Sequence, residues 1–201
     1  MSADADPISP VRVADNRDRA AIAATLARAF GEDPATSFIF PDPVRRAKQL
    51  PKLFALLFDE DVHGMRLVTA GGEAATLWRA PGRIRTSRLD LLREALPLLT
   101  IFGTALGRAL AVSDAIDLHM PPGDFWYLHI AGCDPAAQGK GFGGTTVRAG
   151  LDRIAASGLP TYLETPLERN ISFYQGLGFE VTADWVVPKG GPRFWSMWRG
   201  A

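Results

Sequence analysis

The sequence predicts an α/β (α+β) domain in which helices interleave with strands and the chain closes on an antiparallel pair. Three observations predict it. Apolar runs bounded by Gly and Pro mark strands at 65–70, 73–79, 125–133 and 161–165. Apolar residues at helical spacing mark helices at 17–30 and 44–58. The last two strands, 179–187 and 193–198, are joined by the short link Pro188-Lys-Gly-Gly-Pro192.

Taken in order, 11–14 is a short first strand, and Asp15 caps a helix carrying Ile22, Ala23, Leu26 and Phe30, which Gly31 ends. Residues 32–43 read as a proline-punctuated loop, followed by a helix with Leu50, Leu53, Phe54, Leu57 and Phe58. Gly71-Gly72 between two apolar runs signals a hairpin. Apolar helices follow over 88–112, then a helix or turn at 113–119 with Asp114, Asp117 and His119; together they form a helical insertion at about 88–119 in a single domain spanning 1–201. The strand at 125–133 is followed by a helix at 141–157, and the strand at 161–165 by a short helix at 170–176.

Composition narrows the function classes. Lys+Arg and Asp+Glu both number 22, so the chain lacks the broad positive field expected of a nucleic-acid or anionic-membrane binder. Hydrophobic residues at 47% are ample for a packed core. The single cysteine, Cys133, forms no intrachain disulfide and suits a reducing, cytoplasmic setting. The acidic start, Met1 to Asp6, lacks the order of a secretion signal. In the apolar stretch 89–112, the uncharged run between Glu94 and Arg108 is shorter than the ~20 residues of a membrane span, so it reads as buried or interface-forming helix, compatible with a homodimer. His63, His119 and His129 show no metal-ligand spacing, and no metal is expected.

The informative segment is Gln138-Gly-Lys-Gly-Phe-Gly-Gly144, between a strand and a helix. Glycines let backbone approach a ligand closely, and the free N–H groups of a first helical turn, with the helix dipole behind them, suit a phosphate or pyrophosphate. Lys140 adds a point charge. Gly139-x-Gly141-x-x-Gly144 also satisfies the dinucleotide fingerprint, with Glu164 placed for a ribose. Context disfavours that reading: too little chain follows for further βα units, and Asp134-Pro-Ala-Ala137 separates the glycines from the strand end.

The alternative pattern, Gln138-x-x-Gly141-x-Gly143, resembles the pyrophosphate loop of the GNAT acyltransferases, and Asn170-Ile-Ser-Phe-Tyr174-Gln-Gly-Leu-Gly178-Phe179 resembles the element that follows their fifth strand. Further runs are similar to the puromycin N-acetyltransferase branch: Trp126-Tyr-Leu, Leu163-Glu-Thr, Arg169-Asn, Val181-Thr-Ala-Asp184, Val187-Pro, and Ala29-Phe30 with Asp33-Pro-Ala-Thr36. The likeness covers most of the chain and is weakest at about 81–120. It implies a mixed, mostly antiparallel sheet flanked by helices, its parallel central strands splayed around a pantetheine arm. It also implies an enzyme that moves an acetyl group from acetyl-CoA to an amine of a small molecule, with a peptide or protein amine as alternative acceptor. A non-catalytic acyl-CoA sensor is the alternative from another class.

By this resemblance, the backbone of Ile130, Ala131, Gly132 and Cys133 pairs with pantetheine and one N–H polarises the thioester carbonyl, while Gln138, Gly139, Lys140, Gly141, Phe142, Gly143 and Gly144, with Asn170, hold the rest of the coenzyme. Tyr174 stands where many GNAT enzymes protonate the departing thiolate; its plainer role is to pack the short helix. The serotonin N-acetyltransferase branch carries a base-type histidine at the offset of His129, and strand parity puts Tyr127 on the same face, where it is expected to meet the substrate. A core histidine is the ordinary alternative. Glu164 is the rival base or ammonium anchor, or else a helix cap. Asp33 either pairs with the acceptor amine or is a solvated turn acid. Cys133 reads as packing, because such enzymes transfer directly with no acyl-enzyme.

Overall fold

Seven strands form one sheet in the order β1-β2-β3-β4-β5-β7-β6, in a computed structural model that describes residues 10–84 and 95–201. The strands are β1 Val11–Val13, β2 Met65–Thr69, β3 Ala74–Arg79, β4 Trp126–Cys133, β5 Thr161–Thr165, β6 Glu180–Val186 and β7 Arg193–Arg199. Every neighbouring pair is antiparallel except β4 and β5. The helices are α1 Arg19–Ala29, α2 Pro34–Ile39, α3 Pro43–Glu60, α4 Ala95–Phe102, α5 Leu106–His119, α6 Phe142–Ile154 and α7 Ile171–Gln175.

One face of the sheet packs on α1 and α3 through Leu26, Phe54, Phe58 and Leu77, and α4 and α5 extend this core. The other face packs on α6 and α7 through Trp78, Leu128, Val147, Leu151, Tyr174 and Met197. Trp78 is fully buried, and its Nε1–H donates to Thr76 Oγ1 at 2.9 Å. The helix α6 can lie over it because position 150 is glycine: a Cβ there would stand 2.3 Å from Trp78 Cζ2.

Two expectations are corrected. Residues 34–39 are helical rather than loop, because Pro34 at the first position and the Asp33 side chain, accepting from Ala35 N and Thr36 N, start a short helix that prolines usually argue against. Asp15 caps a 3-10 turn, Asn16–Asp18, with a reciprocal bond from Asp18, and α1 proper begins at Arg19. The start of the apolar helical segment, 88–94, and the acidic Met1 to Asp6 lie outside the described residues.

Leu96–His119 forms a 24-residue helical run that meets the length and composition of a membrane span, with a mean hydropathy of 1.5 over its most apolar 18 residues. Its inner side is committed to the domain: Ile101, Phe102, Ala105, Val112 and Ala115 are buried, and Arg108 Nε donates to Ile39 O at 3.0 Å. Leu96, Leu99, Leu110 and Leu118 stay exposed.

The feature that makes a site is at the centre of the sheet. Trp78 pairs with Leu128 but Leu77 with Ile130, so His129 is the extra residue of a β-bulge. The parallel pairing of β4 with β5 is confined to Trp126↔Thr161 and Tyr127↔Tyr162. Beyond it the strands separate, and the edge of β4 that faces β5 has no strand partner.

Candidate active site

A cavity of about 390 Å³ opens where β4 and β5 part. Ala131, Gly132 and Cys133 of β4 line one side. Unpaired main-chain groups on a strand edge can bond an extended ligand as an added strand does.

At one end is the glycine turn. Gly139 (φ +77°) and Gly141 (φ +87°) adopt left-handed backbone, which glycine takes without strain. Gly141 is the N-cap of α6 and brings no side chain to cap the N–H groups of the first turn. Gln138, Gly139, Gly141, Phe142, Gly143 and Gly144 all line the cavity. An anion is the natural partner for such a helix start. Lys140 and Ile130 are outside the lining, Lys140 exposed and Ile130 packed toward the α1–α3 core.

The titratable groups gather on the same walls. His129, Glu164, Tyr174 and Asp33 line the cavity, together with Asn170 and Arg169. Tyr127, expected to meet the substrate, instead stands behind them, buried and outside the lining, its hydroxyl donating to Glu164 Oε1. The ring of Tyr127 lies 5.3 Å from that of His129, as strand parity predicts. The other carboxylate oxygen of Glu164, Oε2, is buried without a partner among the described residues. Burial pushes the Glu164 carboxyl up to about 7, against the Tyr127 bond and the charge of Arg79, with Asp117 adding to the rise. Glu164 is therefore no helix cap. The neighbouring Thr165 Oγ1 accepts from Leu167 N and Asn170 Nδ2, both at 3.3 Å, and tightens the turn that leads into the helix, whose start has no side-chain cap.

Asp33 is not a solvated turn acid either. It is 5% exposed, caps α2, and is pushed up to about 6 by burial, opposed by the Thr36 and Ala35 amides and by Arg169. Tyr174 is buried, and burial with the Glu164 charge raises its phenol well above the usual value. The hydroxyl thus stays protonated, as a proton donor must. The same burial makes transfer to sulfur uphill unless the thiolate is desolvated beside it. Burial, helped by Asp134 and opposed by the Gly143 amide, also raises the Cys133 thiol, the opposite of what activates a nucleophile.

Sequence reasoning missed Asp61 and Arg79. His129 Nδ1 lies 2.7 Å from Asp61 Oδ2, and Arg79 Nε donates to Asp61 Oδ1 at 2.8 Å. Asp61 sits in the 3-10 turn after α3, 68 residues before His129, and no spacing rule connects the two. Among the described residues, no group of three or more His, Cys, Asp or Glu is placed to hold a metal ion.

This sheet order, with its single parallel pair opening into a cleft, is the GNAT fold. An acetyltransferase from Corynebacterium glutamicum, described as histone acetyltransferase HPA2 and related acetyltransferase, superposes with a TM-score of 0.73 at 26% identity, over 97% of this chain and 98% of that one. Arylalkylamine N-acetyltransferase 2 from Aedes aegypti gives 0.61 at 11% identity (95% and 98% covered). The Drosophila melanogaster polyamine N-acetyltransferase that forms N-acetylagmatine gives 0.57 at 17% (96% and 99%). By sequence, an uncharacterized N-acetyltransferase of Schizosaccharomyces pombe is 26% identical over 177 residues, covering 81% of this chain and 71% of that one. A mycothiol acetyltransferase from a Nocardioides strain is 42% identical over 55 residues, 26% of this chain and only 19% of the relative's length. No family model matches the chain. In fold and in sequence the chain is thus similar to the GNAT-family N-acetyltransferases, enzymes that depend on acetyl-CoA.

Proposed function

We propose that the chain transfers the acetyl group of acetyl-CoA to an amine of a small molecule by direct attack in the cleft between β4 and β5. One observation carries the reading: a single cavity joins an unpaired strand edge, a helix start suited to pyrophosphate, and buried acid and base groups.

On this reading the first-turn amides of α6 hold the pyrophosphate and the edge of β4 holds the pantetheine, one strand N–H polarising the thioester carbonyl. The acceptor arrives as an ammonium, for which the unpartnered Oε2 of Glu164 is a ready anchor. Burial and the charge of Arg79 lower His129 below the usual imidazole value, against the pull of Asp61, so it is neutral and able to take the proton. The amine nitrogen then forms its bond to the carbonyl carbon, the C–S bond breaks, and Tyr174 supplies the proton to sulfur, the proton shed by the new amide nitrogen restoring the phenol.

A small acceptor suits a cavity of this size, and amine acetylation is the activity named for the Aedes and Drosophila neighbours. The Corynebacterium neighbour's description keeps a protein amine as the second choice. The finer likeness to the puromycin N-acetyltransferase branch rests on the short motifs alone. The same reading places the enzyme in the cytoplasm, and the exposed Leu96, Leu99, Leu110 and Leu118 mark the surface on which a homodimer would form. The test is a panel of amines offered with acetyl-CoA while free thiol is read. Saturable thiol release with a small amine is expected. Acetyl-CoA binding without release for any amine or peptide would establish a sensor instead.

A further inference from the structure

A buried chain of charge runs behind the cavity wall. Arg79, on β3, donates through Nη2 to Glu60 Oε2 at 2.8 Å, through Nη1 to Ile84 O at 2.9 Å, and through Nε to Asp61 Oδ1 at 2.8 Å. Asp61 turns its second oxygen to His129 Nδ1 at 2.7 Å. The Asp61 side chain has no exposure, and those of Arg79 and His129 have 14% each. Gly64 seats the turn that carries Asp61: a Cβ there would fall 1.8 Å from Trp78 O, so only glycine lets this turn press against β3.

We infer that Asp61 is a positioning residue that fixes the tautomer and orientation of His129, leaving Nε2 as the atom presented to the cavity. The inference rests on the proposed role of His129 in deprotonating the acceptor. Its geometry stands without that role. An ionised carboxylate only accepts, so Nδ1 carries the hydrogen and Nε2 keeps its lone pair. Asp61 is held ionised: burial alone would push its carboxyl up, but His129 and Arg79 outweigh it and bring it below the usual range. Among the described residues no protein atom bonds Nε2. When the acceptor ammonium gives its proton to Nε2, the nitrogen regains its lone pair for attack, and the imidazolium formed is stabilised by the carboxylate already in contact with it. Arg79 fixes Asp61 in place, and burial, with the charge of Arg79, keeps the resting imidazole neutral. The other titratable groups around the ring are Tyr127 on β4 and Glu164 on the opposite wall, with Glu60 behind Arg79.

The test begins with the wild-type protein carrying nitrogen-15 in its histidines. The imidazole spectrum of His129 at pH 7 should report the Nδ1–H tautomer, and the Nε2–H tautomer would overturn the inference even if no variant folds. Asp61→Asn should shift that tautomer equilibrium and lower the apparent pKa of His129. It should also lower kcat/KM for the amine at pH 7 by about 10- to 100-fold, the range seen for partners that orient a functional histidine, with KM for acetyl-CoA unchanged. Because Asp61 favours the imidazolium, its loss should move the acidic limb of the rate profile to lower pH. Added to His129→Gln, the substitution should produce no further loss of rate. An Asp61→Asn variant with the wild-type tautomer and an unmoved acidic limb contradicts the inference. Absence of thiol release from the wild type would instead remove the proposed activity and leave the spectroscopic reading intact.

Discussion

Glu164→Gln separates stability from function. The carboxyl of Glu164 rises from 4.5 in the unfolded chain to about 7 in the fold, mainly through burial. At ~1.4 kcal/mol per pKa unit, that difference of about 2.5 units amounts to ~3 kcal/mol. The native state binds the extra proton between those two values, so the stability linked to this group is fully present below about 4.5 and is lost as pH rises through about 7. Glutamine cannot ionise, and its side-chain carbonyl still accepts from Tyr127. The variant should therefore match wild type near pH 4.5 and exceed it at pH 8 by up to about 3 kcal/mol. For a domain of this size that is roughly 6–12 °C in Tm. Thermal melts of both proteins across that range read the difference directly, and other titrating carboxyls cancel in the comparison. The same substitution should raise KM for the amine by about 10- to 100-fold, the scale of a lost hydrogen bond to charge. A variant equally stabilised or destabilised at both ends of the pH range would refute the account of a buried, poorly satisfied carboxylate.

Tyr174→Phe should lower kcat by about 10²- to 10³-fold with acetyl-CoA affinity unchanged, because it removes a proton donor and little packing; wild-type turnover in stopped-flow thiol assays would assign the side chain to packing alone. Gly150→Ala should destabilise the fold by about 1–3 kcal/mol, since Trp78 is fully enclosed and cannot yield to the added methyl; urea unfolding with an unchanged midpoint would contradict the packing described. Asp33→Ala should remove about 1 kcal/mol with the α2 cap, visible as a lower Tm near pH 4, where the carboxyl, raised by burial to about 6, is uncharged in the fold and its carbonyl oxygen still accepts from the amides; a Tm equal to wild type there would show that the cap bonds contribute nothing.

Much of the framework was legible in the sequence because local rules dictate it. The strand at 161–165 is bounded as expected, and the glycine turn lies where its spacing put it, between β4 and α6. The resemblance to a known family supplied the mixed sheet and its splayed strands, which propensity alone does not specify. What escaped was non-local or against type. Pro34 signals loop or first helical turn with equal force, and the Asp33 cap decided for helix. The bulge at His129 depends on register against β3, invisible in β4 alone. Asp61 reads as an ordinary acid at the end of an amphipathic helix. Only the packing of its turn on β3 brings it to His129. Glu164 was singled out, but its burial and the bond to Tyr127 come from the way β4 and β5 part.

The central claim is that main-chain amides along the opened edge of β4 and the start of α6 grip acetyl-CoA. Hydrogen exchange with and without acetyl-CoA tests it most directly. Slowed exchange confined to those amides of 131–133 that point away from β3, and to the amides of 141–144, is the predicted result. Binding that leaves those amides exchanging at their free rates, while protecting others, would contradict it.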